Sequence, residues 1–551
     1  MPELRQRHAL RAWLAGAVGA ALSIAGVAAA SRLVGFGRTV TFARTVGATC
    51  LGDTYVTANT VPNIVFEVVA GGALASMVVP VLAGPAARGD TDETSRTASA
   101  LLSWAFLVAV PVTIAGLVLA RPFIDLLIGS AGRDCDRHAE LVVGSRMLLV
   151  FMPQVVVYAL VVVLTGILQA HKRFLGPAAA PLVSSLIVIG TYLLYGALHQ
   201  GHNLDTVSLH AQLVLAGGTT LGVVALASPM LWPVARLGLR LRPTLRFPHA
   251  VGRRVAGLAV AGAVTLAAQQ VSVAVVLRLA HRGDGGTLVL YNLAWAVFLV
   301  PWSVVAVPVA TSAFPRLSAR IDVGDREGFA TATALGLRMV VIATAAAAAA
   351  LAAAAVPASR VLALRVPGNG DTVALAWTLA AFAPGLIGYG LVAYLGRALY
   401  AVEAWRFAAV AICAGWAVVI IADLALVPAF SARWRVVALG IGNSIGMTLA
   451  GALLVAGIAR ATTGHALAGI RRTLAGSMAG GSVGLGLGLL VVWAIGQHAV
   501  GVSVLVALVT GGIAIAGAVA IAMAFEPAQE RNRLRNRLFG QAGVRGGETV
   551  G

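Results

Sequence analysis

Residues 31–83 read SRLVGFGRTVTFARTVGATCLGDTYVTANTVPNIVFEVVAGGALASMVVPVLA. Arg32, Arg38, Arg44 and Asp53 stand here between stretches otherwise apolar enough to enter a bilayer. An arginine at such depth costs roughly 2.5–3.5 kcal/mol on insertion scales. Three in one segment point to a water-filled cavity that attracts anions rather than to a surface bathed in lipid. Their spacing of six does not put them on one face of a straight helix, so a bend at Gly35 and Gly37 is expected to turn two of them inward. Snorkelling anchors at the membrane surface are the plainer reading of Arg38 and Arg44. Glu67 lies inside the apolar run that follows, and an ionisable group in that setting marks function by default.

The rest of the chain fits a membrane setting. It is 59% hydrophobic and 11% charged over 551 residues, with mean hydropathy +0.90, whereas soluble domains carry about 25% charge. An all-α polytopic membrane protein is therefore expected. The net charge of +19 lies at span ends, and with no basic soluble domain or aromatic-interleaved patch it excludes a nucleic-acid binder. Cys50, Cys135 and Cys413 show no metal-ligand spacing. Cys50 and Cys135 can fall on one side of the membrane, which permits a disulfide that nothing in the sequence demands. The basic N-terminus leads into a retained first span rather than a removed signal peptide. No Gly-x-x-x-x-Gly-Lys-Ser/Thr motif and no nucleophile–base arrangement is present, so neither ATP hydrolysis nor enzymatic chemistry is expected.

A hydrocarbon layer of ~30 Å takes about 20 apolar residues per helix. Fourteen spans are predicted, at 12–33, 56–83, 97–120, 140–170, 177–198, 209–232, 252–279, 287–313, 329–356, 372–401, 406–428, 436–459, 470–495 and 499–525. Alternating the loops places 27 of the 40 Lys and Arg on the side of the N-terminus. Both termini are then cytoplasmic by the positive-inside rule. The tail, with Arg531, Arg533, Arg535 and Arg537, follows the last span.

The chain also repeats itself. FMPQVVVYALVVVLTGILQAHKRF at 151–174 and FAPGLIGYGLVAYLGRALYAVEAWRF at 382–407 share Phe151/Phe382, Pro153/Pro384 and Tyr158/Tyr389 at a constant offset of 231. Pro80-Val-Leu-Ala and Pro315-Arg-Leu-Ser echo each other more weakly. Both pairs imply a shift of six spans. Six is even, so the halves share one orientation, as in transporters built of parallel repeats with substrate between the halves near the midplane. The expected organisation is a six-helix lobe over 1–235, a second over 236–460, two additional helices over 461–526 and a basic tail over 527–551.

The opening segment resembles the MurJ/MviN family of lipid II flippases, within the wider multidrug/oligosaccharidyl-lipid/polysaccharide exporter superfamily. The resemblance rests on Ser31-Arg32-Leu-Val-Gly35-Phe36-Gly-Arg38, Ala43-Arg44-Thr-Val-Gly47, Asp53-Thr-Tyr55, Pro62-Asn63, Gly72-Ala73 and Val79-Pro80-Val-Leu82-Ala83. Elsewhere it covers span count and loop rhythm. Three departures stand out. Thr39 replaces an acid, Glu67 follows Pro-Asn where arginine is usual, and Tyr291 to Pro301 in span eight carries no charge.

The resemblance implies a flippase carrying a lipid-linked peptidoglycan precursor from the inner to the outer leaflet of the bacterial cytoplasmic membrane, by alternating access, in cell wall biogenesis. A flippase for another polyprenyl-diphosphate saccharide and a cation-coupled drug antiporter of the same superfamily are the alternatives. Arg32, Arg38 and Arg44 are the expected diphosphate ligands, because arginine stays protonated and donates in pairs. Asp53, Asn63 and Glu67 complete the expected substrate site. Asp423 and Asn443 form the expected cation site, with membrane potential or Na+/H+ coupling as the driving force and no bound cofactor. Partners implied are membrane lipids and cell-wall synthases. His171 and His281 read as loop residues.

Overall fold

The computed structural model describes residues 26–68, 75–129, 132, 134–199, 201, 204–246, 253–495, 500–528 and 531–532. Among them the regular structure is helical throughout, with one isolated backbone bridge between Ala48 and Gly368. Helices suit a hydrocarbon setting because each closes its own backbone hydrogen bonds. The chain divides into two compact units, Met1–Val289 with Val366–Asn369, and Leu290–Arg365 with Gly370–Gly551.

The first unit holds α1 (26–45), α2 (Cys50–Phe66), α3 (Ala75–Arg88), α4 (Thr91–Val118), α5 (Ala120–Ile128), α6 (Arg137–Phe151), α7 (Gln154–Ala170), α8 (Leu175–Leu198), α9 (Leu209–Ala225), α10 (Ser228–Ala235) and α11 (Arg253–Ala280). It also holds the first turn of α12 (Thr287–Pro301). Gly47, at φ +94°, turns the chain between α1 and α2, a conformation that only glycine adopts without strain. Thr49 then caps α2, its Oγ1 accepting from Gly52 N at 3.1 Å. Beside this turn Ala48 N donates to Pro367 O at 2.9 Å and Asn369 N donates to Ala48 O at 2.8 Å. The core behind α2 is aromatic. Tyr55 stacks on Phe42 at 4.9 Å and meets Phe151 edge-on, while its hydroxyl bonds Tyr192 Oη at 2.9 Å and Thr219 Oγ1 at 2.6 Å.

The second unit continues α12 and holds α13 (Val307–Asp322), α14 (Arg326–Ala353), α15 (Ala355–Ala363), α16 (Thr372–Phe382), α17 (Gly385–Ala401), α18 (Trp405–Ala429), α19 (Arg435–Ala461), α20 (Ile470–Ile495) and α21 (Val500–Ala524). Ala-rich α14 is buried along most of its length, as a helix apolar on all sides must be. Its core partners include Tyr394, Leu395, Leu454 and Ile458. A buried ionic cluster fastens the last two helices to it. Arg338 Nε donates to Ala468 O at 3.0 Å, Arg338 Nη1 lies 3.4 Å from Glu526 Oε2, and Thr473 Oγ1 donates to Glu526 Oε1. Asp371 caps α16 and pairs with Arg433, which holds its carboxyl below the usual range.

Eleven described helices are long and apolar enough to cross a membrane, and a twelfth span is α16 with α17, bent by 41°. These match the third to fourteenth predicted spans. The count of fourteen is not reached because residues 12–25 of span one and 69–74 of span two, Gly71 and Gly72 among them, lie outside the described residues, as does the tail from 533 onward.

Two points left open by the sequence are settled in part. Gly35 and Gly37 do not break the helix, which runs unbroken over 26–45. Cys50 and Cys135 are joined in a disulfide with Cα atoms 5.7 Å apart. It ties the start of α2 to the residues before α6. We expect one thiol, Cys413, to react with maleimide in the denatured unreduced protein and three after reduction, read by intact mass.

Candidate functional site

Arginines six apart step 240° around a regular helix. Arg32, Arg38 and Arg44 thus leave α1 in three directions, all accessible. Of the three, Arg38 is the one whose charge acts on the phenols of Tyr55, Tyr158 and Tyr192. Tyr158, on α7, is the centre of a polar group. Its Oη donates to Asn63 Oδ1 at 2.8 Å, and its ring packs tilted against Phe66 at 4.4 Å. It also feels the charge of Glu67. Asn63 is held by its own helix, Nδ2 donating to Asn59 O at 2.7 Å. Of the residues predicted from the opening segment, Asn63 bonds a tyrosine from another, and Arg38 and Glu67 act on the same tyrosine through their charge alone. The group offers one cation, one acid and neutral donors and acceptors, which suits a hydrogen-bonding anion.

Glu67 sits in a π-helical turn at 67–68, just past α2. Such turns insert a residue into a helix and gather at functional sites. The second unit has one at Trp302–Ala306. The offset that pairs Pro80 with Pro315, 235 residues, also pairs Glu67 with Trp302 and Asn63 with Phe298. Tyr389, the repeat counterpart of Tyr158, meets Phe298 edge-on at 5.3 Å and Trp302 at 5.8 Å. Trp302 Nε1 donates to Tyr389 O at 3.3 Å. The polar node of the first unit therefore has an aromatic counterpart, extended by Trp295, Phe382 and Trp416. Aromatic rings fill the place in span eight where charge is missing.

Asp53 is placed differently from the prediction. It is 2% exposed, and its carboxylate accepts from Gly286 N at 2.8 Å and Val289 N at 3.0 Å. Both oxygens are used to cap α12, a favourable site for negative charge. His281 lies in the turn after α11, as expected of a loop residue, but it does not face solvent. It is buried, with Nε2 2.7 Å from Thr57 Oγ1 and Nδ1 3.4 Å from Glu140 Oε1. Glu140, fully buried at the start of α6, has no hydrogen bond among the described residues. The sequence carried no local sign of this triad, whose members lie 83 to 224 residues apart.

Asp423 on α18 and Asn443 on α19 are both buried. Both carboxylate oxygens of Asp423 and Oδ1 of Asn443 lack a partner among the described residues. A side chain at Gly442 would collide with Asp423 Oδ1, so glycine there leaves the room the acid occupies. Unpaired buried oxygens are costly, and carboxylate and amide oxygens on two packed helices are the donor type a small hard cation takes.

Comparison with known proteins agrees with this architecture. A family profile described as "Lipid II flippase MurJ" matches residues 42–511. The Burkholderia cenocepacia protein named "Lipid II flippase MurJ" is 26% identical over 388 residues, covering 69% of this chain and 73% of its own. A "Probable lipid II flippase MurJ" of Rhizobium tropici is 25% identical over 387 residues, 69% and 70% of the two chains. Among solved structures, "Lipid II flippase MurJ, inward closed conformation" aligns with TM-score 0.68 at 17% identity over 89% of this chain and 97% of that one. An inward-facing multidrug resistance MATE transporter aligns with TM-score 0.62 at 13% identity over 79% and 95%. At these identities the solved structures speak for the fold.

Removing one member of a buried pair costs about 3–5 kcal/mol, whereas replacing both by apolar groups is near neutral. His281→Leu is therefore expected to lower the melting midpoint of the purified protein clearly, and Glu140→Leu added to it to restore most of the loss.

Proposed function

The chain belongs to the MurJ family, and from that membership we propose that it moves lipid II from the inner to the outer leaflet of the cytoplasmic membrane by alternating access, serving cell wall biogenesis. It acts as a transporter and not as an enzyme. Both termini lie in the cytoplasm, and cell-wall synthases use the lipid it delivers. Lipid II carries a diphosphate, two sugars and a peptide on a polyprenyl chain. Its diphosphate needs a permanently charged, hydrogen-bonding partner.

The observation that carries this reading is that Asn63 bonds Tyr158 while Arg38 and Glu67 act on the same phenol through their charge. Arg38 binds the diphosphate, Tyr158 and Asn63 orient it, and Glu67 offsets the cation once the anion has left. Arg32 and Arg44 serve the same anion from other sides of α1. Asp423 and Asn443 bind the coupling cation, Na+ or H+, which the membrane potential drives.

Arg38→Ala is expected to abolish rescue of flippase-depleted cells while the protein remains in the membrane by immunoblot. Normal growth would refute the assignment. In proteoliposomes, Asp423→Asn is expected to remove the dependence of labelled lipid II movement on an imposed Na+ or proton gradient, leaving equilibration without a gradient.

A further inference from the structure

Residues 239–246, between α10 and the residues before α11, form no helix. Instead they run extended along α4. Ser95, Ser99 and Ser103, one turn apart on α4, accept in order from Arg240 N at 3.1 Å, Arg242 N at 2.9 Å and Thr244 N at 3.0 Å. Trp104 Nε1 closes the series by donating to Leu245 O at 3.1 Å. Every second N–H of the strap thus points at α4, as the period of an extended chain requires. Pro243, which has no N–H, falls on the opposite edge, where none would be used.

The depth of the strap is informative. The last charged residue of α4 is Arg96. Ser103 and Trp104 lie seven and eight residues beyond it, roughly 10–12 Å at 1.5 Å per residue. Extended backbone at membrane depth is tolerated where it lines water or is buried in protein, not against lipid. This strap is not buried, since Arg240, Leu241, Arg242, Pro243, Leu245 and Arg246 are all exposed. At that depth it would have to border water rather than lipid. Side chains alternate along an extended chain, so Arg240, Arg242 and Arg246 share one edge, about 6–7 Å apart per two residues. Their guanidinium groups have no partner among the described residues. An ordinary topology signal requires positive charge near a span end but no serine ladder holding its backbone.

We propose that the 240–246 strap is a receptor for the diphosphate of the lipid-linked substrate, engaging it from water before Arg38 does. The inference rests on the function proposed above. The serines fix the backbone, so the three arginines meet the anion without first being ordered, and their forks bind phosphate oxygens in pairs.

The test measures binding of undecaprenyl diphosphate to the full chain in nanodiscs of neutral phosphatidylcholine. R240Q/R242Q/R246Q is expected to weaken binding about ten-fold and flatten its salt dependence. S95A/S99A/S103A keeps the charge, frees the strap and is expected to weaken binding at least about three-fold, with both variants melting near the wild type. Wild-type affinity in either variant overturns the proposal. So does a loss that appears only when phosphatidylglycerol is present, which would make an anionic bilayer lipid the occupant. Movement of labelled lipid II by the wild type in proteoliposomes is read separately, and its absence would strike the function while the binding result still decides the strap.

Discussion

Asp53 is where the first unit is pinned. A carboxylate excluded from water must have its lone pairs answered, and two backbone N–H groups at the start of α12 answer them. Around that point the chain adds the Ala48 backbone bridge, the Cys50–Cys135 disulfide and the Thr57–His281–Glu140 triad. All four act on the joining stretch or the first two turns of α2. That stretch sets where Arg38 stands relative to Asn63 and Glu67. The proposed anion site is thus built next to a heavily cross-linked part of the first unit.

Twelve spans were legible because long apolar runs have one solution in hydrocarbon. Arg38, Asn63 and Glu67 were legible because polar groups in such runs are expensive. Tyr158 stood out only through the repeat, since a tyrosine in a helix is otherwise unremarked. The role of Asp53 was misread because an acid in a cavity and an acid capping a helix look alike until the capped helix is known, and that helix begins 234 residues later. Glu140, His281, Arg338 and Glu526 were invisible for the same reason. Their meaning lies in partners brought together by packing, and no local pattern announces a partner.

The two nodes share one plan. Each unit has a π-helical turn, and beside it a tyrosine packed on aromatic side chains. The contents have diverged, to hydrogen-bonding groups in one and to rings in the other. An uncharged span eight is therefore a reworked node rather than an erased one.

The disulfide carries a consequence for how the chain is made. Such bonds persist on the oxidising side of a cytoplasmic membrane and are reduced on the other. Cys50 follows the first span and Cys135 the third. On the proposed topology both cysteines are exported, so the bond closes only after translocation. A chain threaded the other way would keep its thiols reduced and lack the tie between the start of α2 and the residues before α6.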